Sequence, residues 1–224
     1  MGKAGRKAGK AVRVIEKKRM TLPLDLIKSK EKLAIVVDLD YTLVNANTTF
    51  DFLKFVSPKR YEIFSRLLRP LQLFNSIVRK RMGDIYKITL TIICCGGMSK
   101  EMLENFASAY FNKKNWTYNK NILSLLKNFQ GRKFLVTASL DLIAEKFKIL
   151  GFDSVISSKM LYKNGKFYRL FDLYGRKHVV ISKILAQFER LIIIDDSPEP
   201  ELYTMGRNVI VLTPKKMGEK DERL

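Results

Sequence analysis

One short stretch limits what this chain can become more than any other. Ala34-Ile35-Val36-Val37 is apolar and mostly β-branched, the pattern of a strand buried on both faces. It runs directly into Asp38-Leu39-Asp40-Tyr41-Thr42. Side chains alternate along an extended chain, so Asp38 and Asp40 leave on the same side, at the carboxyl end of the strand. That end is where open α/β sheets bind ligands. Two acids there suffer desolvation and mutual repulsion unless a cation or a reaction needs them. For an isolated Asp-x-Asp, a strand cap followed by an Asx turn is the plain alternative.

Two further segments tip the balance. Lys133-Phe134-Leu135-Val136-Thr137-Ala138-Ser139 is a short apolar strand ending in hydroxyls. Leu191-Ile192-Ile193-Ile194 is another, ending in the adjacent acids Asp195 and Asp196, then Ser197 and Pro198. Between them, Tyr174-Gly175-Arg176-Lys177 opens a helical stretch to about Arg190. Helices are expected from about Asn121 to Phe129 and from about Leu140 to Leu150, with strands at Val155 and at Asn208–Leu212 and a short helix near Glu199. Strands alternating with helices imply an α/β fold with a doubly wound parallel sheet. Right-handed crossovers then bring all the strand-end motifs to one edge.

With its ordered set of Asp-x-Asp-x-Thr, strand-end Thr, Lys and acidic pair, the chain resembles the haloacid dehalogenase superfamily over roughly residues 33 to 213. The finer resemblance is to its phosphoserine-phosphatase-like branch. Val136-Thr137-Ala138-Ser139 fits that branch's second motif. Gly151-Phe152-Asp153-Ser154, Asn164-Gly165-Lys166-Phe167 and Gly175-Arg176-Lys177 follow its usual run. The insert after Val44 is similar to relatives that hydrolyse lipid phosphates. Two positions depart from the pattern. Tyr41 stands where glycine is common, and Pro200 replaces a distal Asp, with Glu199 and Glu201 beside it.

The resemblance implies a Rossmann-like core, a helical cap inserted after the first strand, and a Mg²⁺-dependent phosphomonoester hydrolase acting through an aspartyl phosphate. It implies Asp38 as nucleophile and Asp40 as the acid that protonates the leaving oxygen and then activates water. It assigns the metal to Asp38, the Asp40 carbonyl and Asp196, with Asp195 orienting a metal-bound water. Thr137, Ala138 and Lys177 are assigned to the transferred phosphate, Lys177 as the positive charge. Lys183 competes for that last role. His178, the one histidine, has no part in the implied mechanism and reads as structural or solvent-facing.

Charge adds a second constraint. The formal net charge is +20, and it is unevenly placed. Residues 1–32 carry 11 Lys/Arg against 3 Asp/Glu, and residues 48–118 carry 12 against 5. The expected organisation is a basic tail over 1–32, a catalytic core over 33–47 and 119–214, a helical cap over 48–118 and a polar tail over 215–224. The basic tail has little apolar periodicity and is expected to be largely disordered on its own. In the insert, Ile63, Phe64, Leu67, Leu68, Leu71, Phe74, Ile77 and Val78 recur at helical steps, while Arg66, Arg69, Arg79, Lys80 and Arg81 fall on other faces. Pro70 is expected to kink or split this helix, with further helices over Tyr86–Cys95 and from Ser99, a candidate N-cap, to about Phe111.

A basic amphipathic stretch beside a polybasic tail suits peripheral binding to an anionic membrane. The expected substrate is therefore a small metabolite phosphate or a lipid or lipid-linked phosphate. A nucleic-acid-associated phosphatase and a non-enzymatic basic binding protein are the alternatives. The first lacks a recognised binding motif around its aromatics, and the intact acids and Lys177 weigh against the second. No apolar run is long enough to span a bilayer, no secretory signal core is present, and the adjacent Cys94 and Cys95 read as buried thiols of a reducing compartment. The expected location is cytoplasmic, with peripheral contact at the membrane surface.

Overall fold

The computed structural model describes residues 13–14, 32–74 and 82–214. Seven strands form one sheet in the order β1-β7-β6-β2-β3-β4-β5. They are β1 Arg13–Val14, β2 Leu33–Val37, β3 Arg132–Leu140, β4 Ser154–Lys163, β5 Lys166–Phe171, β6 Arg190–Ile194 and β7 Val209–Leu212. Every pairing is parallel except the β4–β5 hairpin. The doubly wound α/β reading therefore holds, with one antiparallel edge strand that strand–helix alternation did not signal. That hairpin turns at Asn164-Gly165, both with positive φ, a dipeptide that favours such turns.

Alternation along the central strands feeds two cores. Leu33, Ile35 and Val37 of β2 pack into one cluster, and Ala34 and Val36 into the other. In β6, Ile192 and Ile194 join the first cluster, Leu191 and Ile193 the second. All five β2 side chains are buried, and burying a large aliphatic side chain stabilises by about 1.5–3 kcal/mol. This is why the central strands are apolar throughout rather than alternating in polarity.

Register does the rest. Val37 lies beside Leu135 of β3 and Ile194 of β6. Asp38 is consequently level with Asp195, and Thr137 stands one step beyond on the other side.

Among the described residues, the segment between β2 and the helix α5 (Lys120–Asn128) includes the helices α1 Thr48–Val56, α2 Pro58–Leu67, α3 Ile85–Cys95 and α4 Lys100–Lys113. The α1 helix was not foreseen. Asn47 caps it by accepting from Phe50 N. Ser99 caps α4 as expected, accepting from Met102 N at 3.1 Å. The helix expected through Ile63 and Leu71 is split at Pro70: α2 ends at Leu67, residues 68–70 form a turn, and helix resumes at residues 71–74. Its apolar residues also divide: Phe64, Leu68 and Leu71 pack inward, while Ile63, Leu67 and Phe74 are exposed. Ile77, Val78, Arg79, Lys80 and Arg81 lie outside the described residues. The insert shares one continuous hydrophobic cluster with the sheet, and Trp116 meets Phe147 edge to face at 4.9 Å.

One other expectation needs correction. The stretch Leu140–Leu150 is not one α-helix. After β3 it makes a single turn, α6 Asp141–Ala144, then a 3₁₀ segment Glu145–Leu150 that stops at Gly151 with φ +87°. Within the basic tail, Arg13–Val14 pairs with Ile210 and Val211 as an edge strand, so this point of the tail gains order from the sheet. Residues 1–12, 15–31 and 215–224 lie outside the described residues. Cys94 and Cys95 are buried free thiols, and burial pushes them up to about 11 and about 12. The last helix of the core is α7, Lys177–Leu185.

Candidate active site

The carboxyl ends of β2, β3 and β6 and the start of α7 enclose a pocket of about 270 Å³. Asp38, Asp40, Thr137, Ala138, Lys177, Asp195 and Asp196 all line it, so topology brings together the residues assigned to the metal and the phosphate. The insert supplies part of the wall through Phe50, Asp84 and Lys87.

Lys177 organises the floor. Its Nζ stands 2.9 Å from Asp38 Oδ1 and 2.9 Å from Asp195 Oδ2. Its side chain is buried, whereas Lys183 is exposed and absent from the pocket. Burial alone would lower the Lys177 pKa, but Asp38 and Asp195 more than reverse this and raise it. Burial pushes the Asp38 carboxyl up to about 7, with Asp195 and Asp40 adding to the effect and Lys177 opposing it. One ammonium is shared by two acids, so it does not neutralise either fully.

Asp40 is held differently. Its Oδ1 accepts from Thr48 N at 3.0 Å and its Oδ2 from Ser139 Oγ at 2.9 Å. Burial raises its pKa, and these hydrogen bonds restrain the rise. A raised carboxyl suits a proton donor. Thr137 Oγ1 lies 3.1 Å from Ser139 Oγ and accepts from Ser139 N. Ser139 was read only as a strand-end hydroxyl, yet it joins Thr137 to Asp40.

The acidic pair divides its tasks. Asp195 Oδ2 takes Lys177 Nζ, and Asp195 Oδ1 accepts from Ser197 N at 2.9 Å. Thr42 braces the neighbouring residue: its hydroxyl donates to Asp196 Oδ1 at 3.3 Å and accepts from Asp196 N at 2.9 Å. Tyr41 has φ 57°, the left-handed region that glycine fills most easily, which explains the family's usual residue there.

Glu199 emerges as a further member of the site. Its Oε1 accepts from Lys177 N at 3.1 Å, and its Oε2 accepts from His178 N and lies 2.7 Å from His178 Nδ1. A carboxylate thus satisfies the first amides of α7. His178 is a structural partner in that cap. Lys87 and Asp172 were missed as well. Lys87 was visible as the lone charge within the apolar run Ile85–Cys95, but nothing near Asp172 marked it as its partner.

Carboxylate oxygens of Asp38, Asp195 and Asp196 lie within 4.8 Å of one another. An all-oxygen donor set with more acid than ammonium fits a hard divalent cation such as Mg²⁺.

The model of the haloacid dehalogenase-like hydrolases matches residues 35–184, from within β2 to the last turn of α7. The chain belongs to the haloacid dehalogenase-like hydrolase family. Several solved structures share this hydrolase fold. A protein of unknown function from Bordetella pertussis Tohama I has a TM-score of 0.61 at 14% identity, over 75% of this chain and 84% of that one. A substrate-bound phosphoserine phosphatase has a TM-score of 0.57 at 18% identity, over 87% and 92%. Cytosolic 5′-nucleotidase IIIB bound to cytidine has a TM-score of 0.54 at 12% identity, over 84% and 74%. At these identities the likeness is one of fold. No curated protein matches the hydrolase in sequence.

Proposed function

We propose that this hydrolase is a phosphomonoester phosphatase that works through an aspartyl phosphate on Asp38. The observation that carries the reading is the Lys177 ammonium shared by Asp38 and Asp195 at 2.9 Å each, in a pocket that also holds Asp40. Asp38 attacks phosphorus, the bond to the leaving oxygen breaks, and protonated Asp40 gives that oxygen its proton. Asp40, now a carboxylate, takes a proton from a water that attacks the phosphoryl group, releasing phosphate and restoring Asp38. Lys177 and the Thr137 hydroxyl compensate the charge that gathers on the transferred group. Asp38 and Asp196, with the Asp40 carbonyl implied by the family resemblance, would hold Mg²⁺, which supplies further charge neutralisation when bound. Asp195, with both oxygens engaged, acts mainly on Lys177.

A phosphatase screen with Mg²⁺ across sugar phosphates, phosphoserine, phosphorylated lipids and 3′-phosphorylated DNA tests this. Release of phosphate by the wild type and none by Asp38→Asn is the expected result. Turnover by Asp38→Asn overturns the assignment.

Between a soluble metabolite and a lipid phosphate, one observation favours the lipid. The α2 helix buries none of its residues. Ile63 and Leu67 on α2, followed by Leu73 and Phe74, are exposed among the exposed cations Lys59, Arg60, Arg66 and Arg69. Aliphatic residues ringed by cations suit an anionic bilayer surface better than duplex DNA. Tyr86 Oη donates to Ser65 O at 3.1 Å, tying α2 to the helix that carries Lys87 into the pocket. Among the described residues no helix is long and apolar enough to cross a membrane, so contact through this face would be peripheral. Co-sedimentation should show binding to vesicles containing acidic lipids, lost as salt rises. Equal recovery with neutral vesicles refutes the membrane reading, and salt-sensitive DNA binding alone favours nucleic acid instead.

A further inference from the structure

The insert reaches the reaction centre through one buried ion pair. Lys87 of α3 is 6% exposed and Asp172 is 1% exposed. Their charged atoms are in direct contact. Lys87 Nζ also donates to Ala138 O at 2.8 Å. Asp172 accepts from Asp84 N at 2.7 Å and Tyr174 N at 3.3 Å, and its Oδ1 lies 2.8 Å from Ser158 Oγ. The main chain closes tightly at this point: Gly83 has φ +82°, and a Cβ added there would lie 2.7 Å from Asp172 Cβ.

The carbonyl held by Lys87 belongs to an irregular stretch. The β3–β4 register shifts between Val136 and Leu140, so Ala138 lies in a break of the ladder and its carbonyl takes Lys87 Nζ and Ser158 Oγ as partners. Bulges of this kind re-aim side chains beside active sites. In a trans peptide the C=O and the N–H point in opposite directions. Fixing Ala138 O therefore aims the Ser139 N–H the other way, at Thr137 Oγ1, 3.1 Å distant. Ser139 Oγ in turn holds Asp40.

We infer that Lys87 is a positioning residue through which the helical insert sets the geometry of Thr137, Ser139 and Asp40. The inference rests on the phosphatase reading. It makes turnover depend on a side chain that belongs to the insert rather than to the catalytic strands. A buried lysine held only to complete a core would contribute stability and leave turnover per folded molecule unchanged.

Steady-state hydrolysis of p-nitrophenyl phosphate with Mg²⁺ decides the matter, alongside thermal melting of each protein. Lys87→Met should lower kcat by about 10- to 100-fold with KM little altered, the size expected when reacting groups are misplaced by an ångström or less. Lys87→Arg keeps a cation and a donor and should recover most of kcat. Lys87→Met leaves Asp172 buried without its ion-pair partner and risks misfolding. The pair Lys87→Met/Asp172→Asn removes that charge and should show the same loss of kcat. Wild-type kcat in either folded variant overturns the positioning role while the phosphatase reading stands. Absence of hydrolysis by the wild type across the substrate screen overturns both.

Discussion

Removing the charge of Asp38 should stabilise the metal-free protein while abolishing turnover. Asp38 gains from Lys177 at 2.9 Å, about 6 kcal/mol at an effective dielectric of about 20. It loses to Asp195 and Asp196, whose nearest oxygens stand within 4.8 Å, about 3.5 kcal/mol each on the same scale. The two Coulomb contributions roughly cancel, which leaves the desolvation of a buried carboxylate, several kcal/mol, as the deciding cost. Asp38→Asn relieves that cost and keeps the shape. A net gain of about 1–3 kcal/mol corresponds to several degrees in Tm for a chain of this size.

The gain has a defined pH dependence. Asp38 is raised to about 7 in the folded protein, against about 3.9 in an unfolded chain. Between these values the folded state keeps a proton that the unfolded state has released, so wild-type stability falls as pH rises through this window. Asn has no proton to release. Its advantage should be near zero at about pH 4 and largest at about pH 7 and above. Melting in EDTA at a series of pH values measures it directly. Mg²⁺ should then raise the wild-type Tm and leave the variant's in place, closing the gap. A variant that melts at or below the wild type at pH 7 without metal, or a gap that ignores pH, refutes the reasoning.

Other substitutions separate the remaining roles. Asp196→Asn should raise the Mg²⁺ concentration needed for half-maximal activity. Asp195→Asn should mainly lower kcat, because it frees Lys177 from one of its two anchors, and the opposite order in Mg²⁺ titrations would exchange the two roles. Glu199→Gln weakens the cap on α7 and should cost about 1 kcal/mol of stability together with part of kcat. An unchanged Tm would show that Lys177 and His178 amides find other partners. Deleting residues 1–19 should weaken binding to acidic vesicles and leave hydrolysis of a small soluble ester nearly unchanged, as judged by co-sedimentation and phosphate release.

Much of the centre was legible because its signals are local. A β-branched run followed by Asp38 and Asp40, a second ending in Thr137 and a third ending in Asp195 and Asp196 each announce a strand end, and a parallel sheet brings strand ends together. Lys177 was legible through the family resemblance, whose motif Gly175-Arg176-Lys177 follows at the mouth of a helix. Local pattern failed where the outcome depended on partners far away in the chain. The register shift that leaves Ala138 in a break of the ladder depends on β4. The stretch after Ala144, expected as part of one α-helix, is 3₁₀ instead.

The sequence by itself determined the strand-end acids, the alternation of strands and helices through the core and the large excess of positive charge, since each follows from residue type and spacing along one segment. Only the tertiary structure decided that Lys177 bridges Asp38 and Asp195, that Glu199 caps the helix carrying Lys177, and that Lys87 of the insert meets Asp172 and Ala138. These contacts join residues 18 to 139 positions apart. Nothing in a single segment encodes such a pairing. It arises when sheet register and insert packing bring the charges into a space too small and too dry for either partner to remain alone.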